Sequence, residues 1–242
     1  MRNPGLAGSC WALLLAATTA LLSCGCAGQA EHGNGTAAKW QALFDGQTTQ
    51  GWHTFKKQSF PNQGWVVADG WLHCLGKGGG NKGGGEIVSD AEFNDFELQW
   101  EWKQAAAGNS GVKYFILDSR KEALGHEYQM IDDAREPDAT RAEGKRVTAS
   151  FYDVLAPTIR PKVKPPGEIN SSRIIVKGNH VEHWLNGVKV LEYECGSEVV
   201  KAAVAASKFK TTAGFGDKVK GRVLLQDHNT EVWFRNVRIR EL

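Results

Sequence analysis

The chain is short of the features that announce the commonest chemistries. It has no Gly-x-Ser-x-Gly elbow, no His-Glu-x-x-His or His-x-x-x-His pair and no Cys-x-x-Cys, so serine nucleophiles and thiolate-bound zinc have little support. Charge of either sign is not in excess: 29 lysines and arginines face 27 aspartates and glutamates, for a net charge of +2. The basic residues are scattered. Their densest cluster, "RPKVKPPGE" at 160–168, is broken by prolines and reads as a surface loop, so no nucleic-acid partner is expected. No apolar run reaches the roughly 18–20 residues of a membrane-spanning helix. There is no internal repeat, and helical periodicity is nearly missing.

Cysteine is sparse, with five in all. Cys10 lies in the apolar run "CWALLLAATTALLS" at 10–23, which follows Arg2 and ends at Cys24. A basic start, a short apolar middle and small residues at the end describe a secretory signal over residues 1–23. "LLSC" at 21–24 also has the form of a bacterial lipobox, with Cys24 as the lipid-attachment residue. The alternatives are a plain signal cut near Ala27, or the poorer lipobox ending at Cys26. Lipidation would tether the chain to a membrane surface, periplasmic or at the cell exterior, without inserting it. Residues 24–39, small and polar, read as a flexible tether, and residues 40–242 as one domain. That leaves Cys74 and Cys195 in the folded part, for which a disulfide and two buried thiols are both open.

What the sequence has in quantity is aromatic residues, glycines and period-2 alternation, the pattern of strands. "DFELQWEWKQ" at 95–104 sets Phe96, Leu98, Trp100 and Trp102 on one face and Glu97, Gln99 and Glu101 on the other. Asp69-Gly70 and Asn186-Gly187, each between apolar runs, predict hairpins over 65–76 and 181–194. Further strands are expected at 110–117, 126–131, 150–155, 172–178, 221–226 and 231–240, giving about ten. Only 197–209, with Ser197 as N-cap and a stripe of Val199, Ala203 and Ala206, reads as helix. One short helix cannot cover so many strands, so the sheets must cover each other: an all-β sandwich, jelly-roll or concanavalin-like. The glycine-dense "GKGGGNKGGGE" at 76–86 lacks the ending and context of a phosphate loop and is expected to be a loop at the rim.

Several strands carry amide, carboxylate and imidazole groups where solvated strands carry lysine and threonine. In "GHEYQMIDD" at 125–133, alternation places Glu127 and Gln129 together, opposite Tyr128 and Met130. In "LLQDHN", Gln226 and His228 share a face. Asn109 precedes an alternating run and reads either as a turn residue or as an amide at a groove rim. Arg235, between Trp233 and Val237, calls for a carboxylate partner, with Asp227 or Glu127 the expected ones. His183, beside Val181 and Leu185, reads as a satisfied core histidine. Trp184, on the polar face with Glu182, reads as a platform for a sugar ring. A divalent cation on Glu127, Asp132 and His228 is chemically adequate, although spacing does not establish it.

The motifs "ALFDGQTTQGWHTF", "WVVADGWLHC", "EIVSDAEFNDFELQWEWK", "NSGVKYFI", "GHEYQMIDD", "HVEHWLNGVKVLEYE" and "VLLQDHNTEVWFRNVRI" follow one another along residues 40–242. Together they resemble the 3-keto-disaccharide hydrolase family of exported bacterial sandwich domains. The resemblance implies a concanavalin-like jelly roll and cleavage of glycosides already oxidised to a ketone at carbon 3. The family's polar signature falls here on Glu127, Gln129 and Asp132, on Asn109, on Gln226, Asp227 and His228, and on Arg235-Asn236. By residue type Glu127, Asp132 and His228 suit catalysis and Asn109, Gln129, Gln226 and Arg235 substrate binding, with Trp184 a stacking surface. An oxidised sugar is then the partner, with a divalent cation a possible cofactor. Two positions depart from the family pattern: Ile169 stands where tryptophan is common, and Asn229 where glycine follows the histidine. Three competing readings remain. One is a carbohydrate-binding module without catalysis. Another is an ordinary two-carboxylate glycosidase pairing Glu127 with Asp132 or Glu182. The third is a surface scaffold protein whose polar face is only a solvated sheet.

Overall fold

A computed structural model of the protein describes residues 38–77 and 83–242. The expected signal, Cys24 and nearly all of the tether lie outside the described residues, as does the centre of the glycine-dense run. The strands are β1 (Gln41–Ala42), β2 (Trp52–Thr54), β3 (Trp65–Ala68), β4 (Trp71–Cys74), β5 (Ile87–Phe93), β6 (Phe96–Gln104) and β7 (Asn109–Ile116). They continue as β8 (His126–Ile131), β9 (Asn170–Lys177), β10 (His180–Leu185), β11 (Val188–Glu194), β12 (Gly221–Leu225) and β13 (Val232–Glu241), with α1 (Glu198–Ala205) before β12. An eight-stranded antiparallel sheet runs β11-β10-β9-β6-β13-β4-β3, with β1 also on β13, and a five-stranded one runs β2-β5-β12-β7-β8. The two faces that meet are apolar. Trp100, Trp102, Phe96, Leu98 and Phe234 from the larger sheet meet Tyr114, Tyr128, Val112 and Leu225 from the smaller one in a single cluster. The all-β jelly-roll expectation holds.

Both turn signals are borne out. Asp69 and Gly70 have φ of 52° and 77°, Asn186 and Gly187 48° and 84°, the positive pairs that a two-residue hairpin of this hand requires. The helix is shorter than expected and its buried stripe is displaced by one residue. Ser197 does cap it, accepting from the Val200 N–H at 3.3 Å, but Val200 and Val204 face the core while Val199 is 69 % exposed. Residues 150–155 do not form a strand. Ala149 and Asp153 take positive φ of 64°, and Phe151 N–H bonds the Leu155 carbonyl, so the segment turns back on itself. Cys74 and Cys195 are free, buried thiols, and desolvation pushes both up, Cys195 to about 12.

A polar chain crosses the core and ties the two sheets in register. His183 Nδ1 lies 2.9 Å from the Ala149 carbonyl, so it must donate; its Nε2 then accepts from Tyr114 OH at 2.8 Å. Tyr193 OH in turn donates to Tyr114 at 2.6 Å and accepts from His126 Nδ1 at 2.9 Å. His183 is thus the satisfied core residue its neighbours suggested. The chain fixes β7 and β8 against β10 and β11.

Candidate active site

The outward face of the smaller sheet carries the site. β7 and β8 pair so that Lys113 stands opposite Glu127 and Gly111 opposite Gln129, and period-2 alternation turns these side chains to one side. Gln226 N–H bonds the Gly111 carbonyl at 3.0 Å, which brings the end of β12 alongside. Gly111 is required here by close approach. A Cβ at that position would sit 2.6 Å from Glu127 Oε1, so the carboxylate lies flat against the β7 backbone.

Above this floor is a cavity of about 360 Å³, within the range of small-molecule sites. Asn109, Lys113, Glu127, Gln129, Gln226 and His228 line it, with Tyr152, Lys208 and Phe209 as walls. Lys208 places its ammonium 4.1 Å from the centre of the Tyr152 ring, and its backbone N–H donates to Asp153 Oδ2 at 2.7 Å. Tyr152 OH donates to Asp138 at 2.7 Å. Asp227 points away from the cavity and accepts from the N–H groups of Gly84 and Gly85 at 2.8 and 3.0 Å. This anchors the chain that delivers Glu86, whose Oε1 lies 2.6 Å from Lys113 Nζ.

The electrostatics single out one carboxylate. Glu127 is 6 % exposed, and among the described residues no hydrogen bond reaches its carboxylate. Burial raises its pKa above the ordinary glutamate value, with Lys113 and Lys208 pulling only partly the other way. Burial also works against the charge on Lys113, but Glu127 and Glu86 outweigh it and hold the lysine above its usual value. The amides are unevenly used. Gln129 Nε2 donates to Asn109 Oδ1 at 3.3 Å, whereas Gln226 Oε1 is buried without a partner, a cost that an unfilled polar group carries until something binds it.

The structure brings together five of the expected site residues: Asn109, Glu127, Gln129, Gln226 and His228. It does not bring in the other three. Asp132 follows β8 and its carboxylate is engaged. Burial alone would raise its pKa, but the N–H groups of Ala107 and Ala134, at 2.9 and 3.2 Å, and Arg135 at 3.2 Å hold it below the ordinary value. Trp184 and Arg235 belong to the outward face of the other sheet. Trp184 donates to Glu182 at 2.7 Å and is covered by the Arg173 guanidinium, 3.9 Å from its ring centre, so its stacking face is occupied. Arg235 pairs with Glu101 at 2.6 Å and lies over Trp71, neither Asp227 nor Glu127 being its partner. The register explains this, since β13 puts Arg235 opposite Glu101 of β6.

A larger groove, about 710 Å³, lies on that second face, but its charges pair with one another and none is an unbonded buried acid. Glu182 is there too, bound to Lys189 at 3.2 Å, on the wrong sheet to pair with Glu127. The proposed cation set is not gathered either. Among the described residues, the acidic and imidazole groups close enough to share an ion are His180, Glu182 and Glu192, where the Lys189 ammonium already sits 2.6 Å from Glu192.

The comparisons with known proteins bear on the same chain. A family model described as a 3-keto-α-glucoside-1,2-lyase-like domain matches residues 39–240. A 3-keto-disaccharide hydrolase of Bacteroides thetaiotaomicron is 34 % identical over 226 residues, 83 % of this chain and 77 % of that protein. The chain belongs to the 3-keto-disaccharide hydrolase family. It is therefore one of a group of glycoside-cleaving enzymes. A crystal structure of a protein described as a glycosyl hydrolase from Parabacteroides distasonis is similar with a TM-score of 0.74 and 33 % identity, over 84 % of this chain and 94 % of that one. A second from the same organism gives 0.66 and 26 %, over 84 % and 100 %. The family assignment makes sense of one departure: Asn229 has φ of 67°, the left-handed conformation for which glycine is the usual choice and asparagine the best-tolerated substitute.

Lys113, Glu86, Lys208 and Tyr152 were missed from the sequence. Lys113 was legible in "NSGVKYFI", since alternation puts it on the same face as Asn109. Glu86, Lys208 and Tyr152 come from loops, where no periodicity reports on direction.

Proposed function

We propose that the protein cleaves the glycosidic bond of a sugar oxidised to a ketone at carbon 3, with Glu127 as the base. The observation that carries this reading is a buried carboxylate of raised pKa, free of internal hydrogen bonds, on the floor of a polar cavity. A carboxylate more basic than an ordinary glutamate is better suited to removing a weakly acidic C–H proton. The ketone acidifies the hydrogen on carbon 2. Glu127 takes that proton, the C–H electron pair forms a carbon 2–carbon 3 double bond, and the carbonyl pair moves onto the oxygen. Collapse of this enolate makes a carbon 1–carbon 2 double bond and expels the carbon 1 oxygen, which takes a proton. His228, at the cavity rim, is in place to supply it. Water then adds its hydroxyl to carbon 1 and its hydrogen to carbon 2, completing hydrolysis.

The test offers the purified domain 3-keto and unoxidised forms of the same glucoside, with and without chelator. Release from the ketone alone is expected. Glu127→Gln should lower turnover by about 10²–10⁴-fold, the usual worth of a general base, while ligand still binds. Equal cleavage of both sugars would show an ordinary glycosidase, and binding without cleavage a carbohydrate-binding module. From "LLSC" we also propose lipid attachment at Cys24, tested by palmitate labelling of the wild type and of Cys24→Ala in a bacterial host.

A further inference from the structure

The proposed elimination needs a second group, because removing the carbon 2 proton places a full negative charge on the oxygen at carbon 3. We propose that Lys113 is a catalytic residue whose ammonium, anchored by Glu86, receives that oxygen. The inference rests on the reading of the substrate as a 3-keto glycoside. Its support is geometric. The hydrogen removed and the oxygen that gains charge sit on adjacent carbons, so base and electrophile must stand side by side. Lys113 and Glu127 are a directly opposed cross-strand pair, with Cβ atoms about 4.5–5.5 Å apart in such a ladder and both side chains turned to the cavity.

Lys113 is 8 % exposed, a state that lysine tolerates when it is paired. Of the three donors an ammonium carries, one goes to Glu86 at 2.6 Å, and among the described residues no other hydrogen bond engages it. Glu86 is the positioning residue. It holds the Lys113 ammonium at the cavity lining before substrate arrives, so that the donor is in place where charge will develop. The other groups are less suited. Gln129 and Asn109 are bonded to each other, and the Lys208 ammonium lies over the Tyr152 and Phe209 rings with, among the described residues, no hydrogen-bonding anchor.

The rival role for Lys113 is to neutralise Glu127 and nothing more, and one experiment separates the two. A 3-keto sugar with no substituent at carbon 1 cannot eliminate, so exchange of its carbon 2 hydrogen with deuterated water, followed by NMR, reports enolate formation alone. Lys113→Met should slow this exchange by about 10²–10³-fold, the usual cost of losing one oxyanion donor. The loss should persist at pH values high enough to ionise Glu127 fully. Lys113→Arg should recover part of it, and Glu86→Gln should reduce kcat with KM unchanged. Should Lys113→Met not fold, Lys113→Gln carries the comparison. Recovery of the exchange rate at high pH would overturn the proposal and leave Lys113 a neutraliser. Wild-type protein that neither exchanges nor cleaves the keto sugar would overturn the functional reading itself.

Discussion

Two histidines sealed between the sheets make stability depend on acid. His126 and His183 are 2 % and 0 % exposed, and burial lowers their pKa values from 6.5 to about 3 and about 4. Folded values below the unfolded one mean that the unfolded chain binds protons more readily. The contribution of each histidine is intact above pH 6.5 and is lost as pH falls toward the folded value. Each pH unit in that window costs about 1.4 kcal/mol per histidine, so going from pH 7 to pH 5 removes about 2 kcal/mol for each. Glu127 and Asp133, raised by burial, act in the opposite sense, and the wild-type slope is therefore a net quantity. The clean measurement is a difference. Urea unfolding followed by tryptophan fluorescence at pH 7, 6 and 5 is compared between wild type and His183→Gln, an amide that keeps a donor for Ala149 and an acceptor for Tyr114. The variant starts lower at pH 7, and its stability should then fall by about 2 kcal/mol less between pH 7 and 5. Equal slopes, with equal m-values, would refute the placement of His183 as a neutral, desolvated link.

Three further outcomes test the site. The acid limb of kcat/KM should lie above 4.5, the ordinary glutamate value, and Lys113→Met should move it higher still by removing the charge that opposes Glu127's elevation. A limb at or below 4.5 would exclude Glu127 as the base. Gly111→Ala should depress kcat by about 10²-fold, because a Cβ 2.6 Å from Oε1 forces the carboxylate off its seat and small misplacements of a catalytic group cost about that much; unchanged turnover would show that the seat is not used. Trp184→Ala and Arg235→Ala, both on the far sheet, should leave kcat/KM unaltered, and a substantial loss in either would move the site to the other face.

The parts of this molecule that follow from local rules were legible in the sequence. Alternation in "DFELQWEWKQ" gave the core face of β6, and the Asp-Gly and Asn-Gly pairs gave both hairpins, because each depends on residues a few positions apart. Glu127 with Gln129, and Gln226 with His228, followed from the same alternation. Which strands share a sheet did not. Trp184 and Arg235 were grouped with Glu127 because polar faces look alike in one dimension, and only the pairing of β13 with β6 shows that theirs is the opposite side of the sandwich. Residues 150–155 failed for a different reason. Their composition suits a strand, but positive φ at Ala149 and Asp153 breaks it; alanine gives no sign of that conformation, and an aspartate with no glycine after it gives only a weak one.

The two outward faces obey different rules, and the contrast is itself an argument about function. On the larger sheet the acids are paired: Glu97 meets Arg173 and Arg240, Glu101 meets Arg235, Glu182 meets Lys189. That face has irregularities of its own among the described residues, a His73 Nε2 without a hydrogen-bond partner, a left-handed Asn236 and a slip of the ladder between Arg235 and Arg238, but these acids all carry counter-charges. On the smaller sheet local satisfaction stops. The Glu127 carboxylate is buried and, among the described residues, accepts no hydrogen bond, and Gln226 Oε1 has no partner. Both cost folding energy, and both line one cavity. A sequence otherwise consistent with its fold tolerates such departures where a ligand completes them. A sugar bearing a carbonyl and several hydroxyls offers what these groups lack: donors for Glu127 and Gln226, and an acceptor for Lys113.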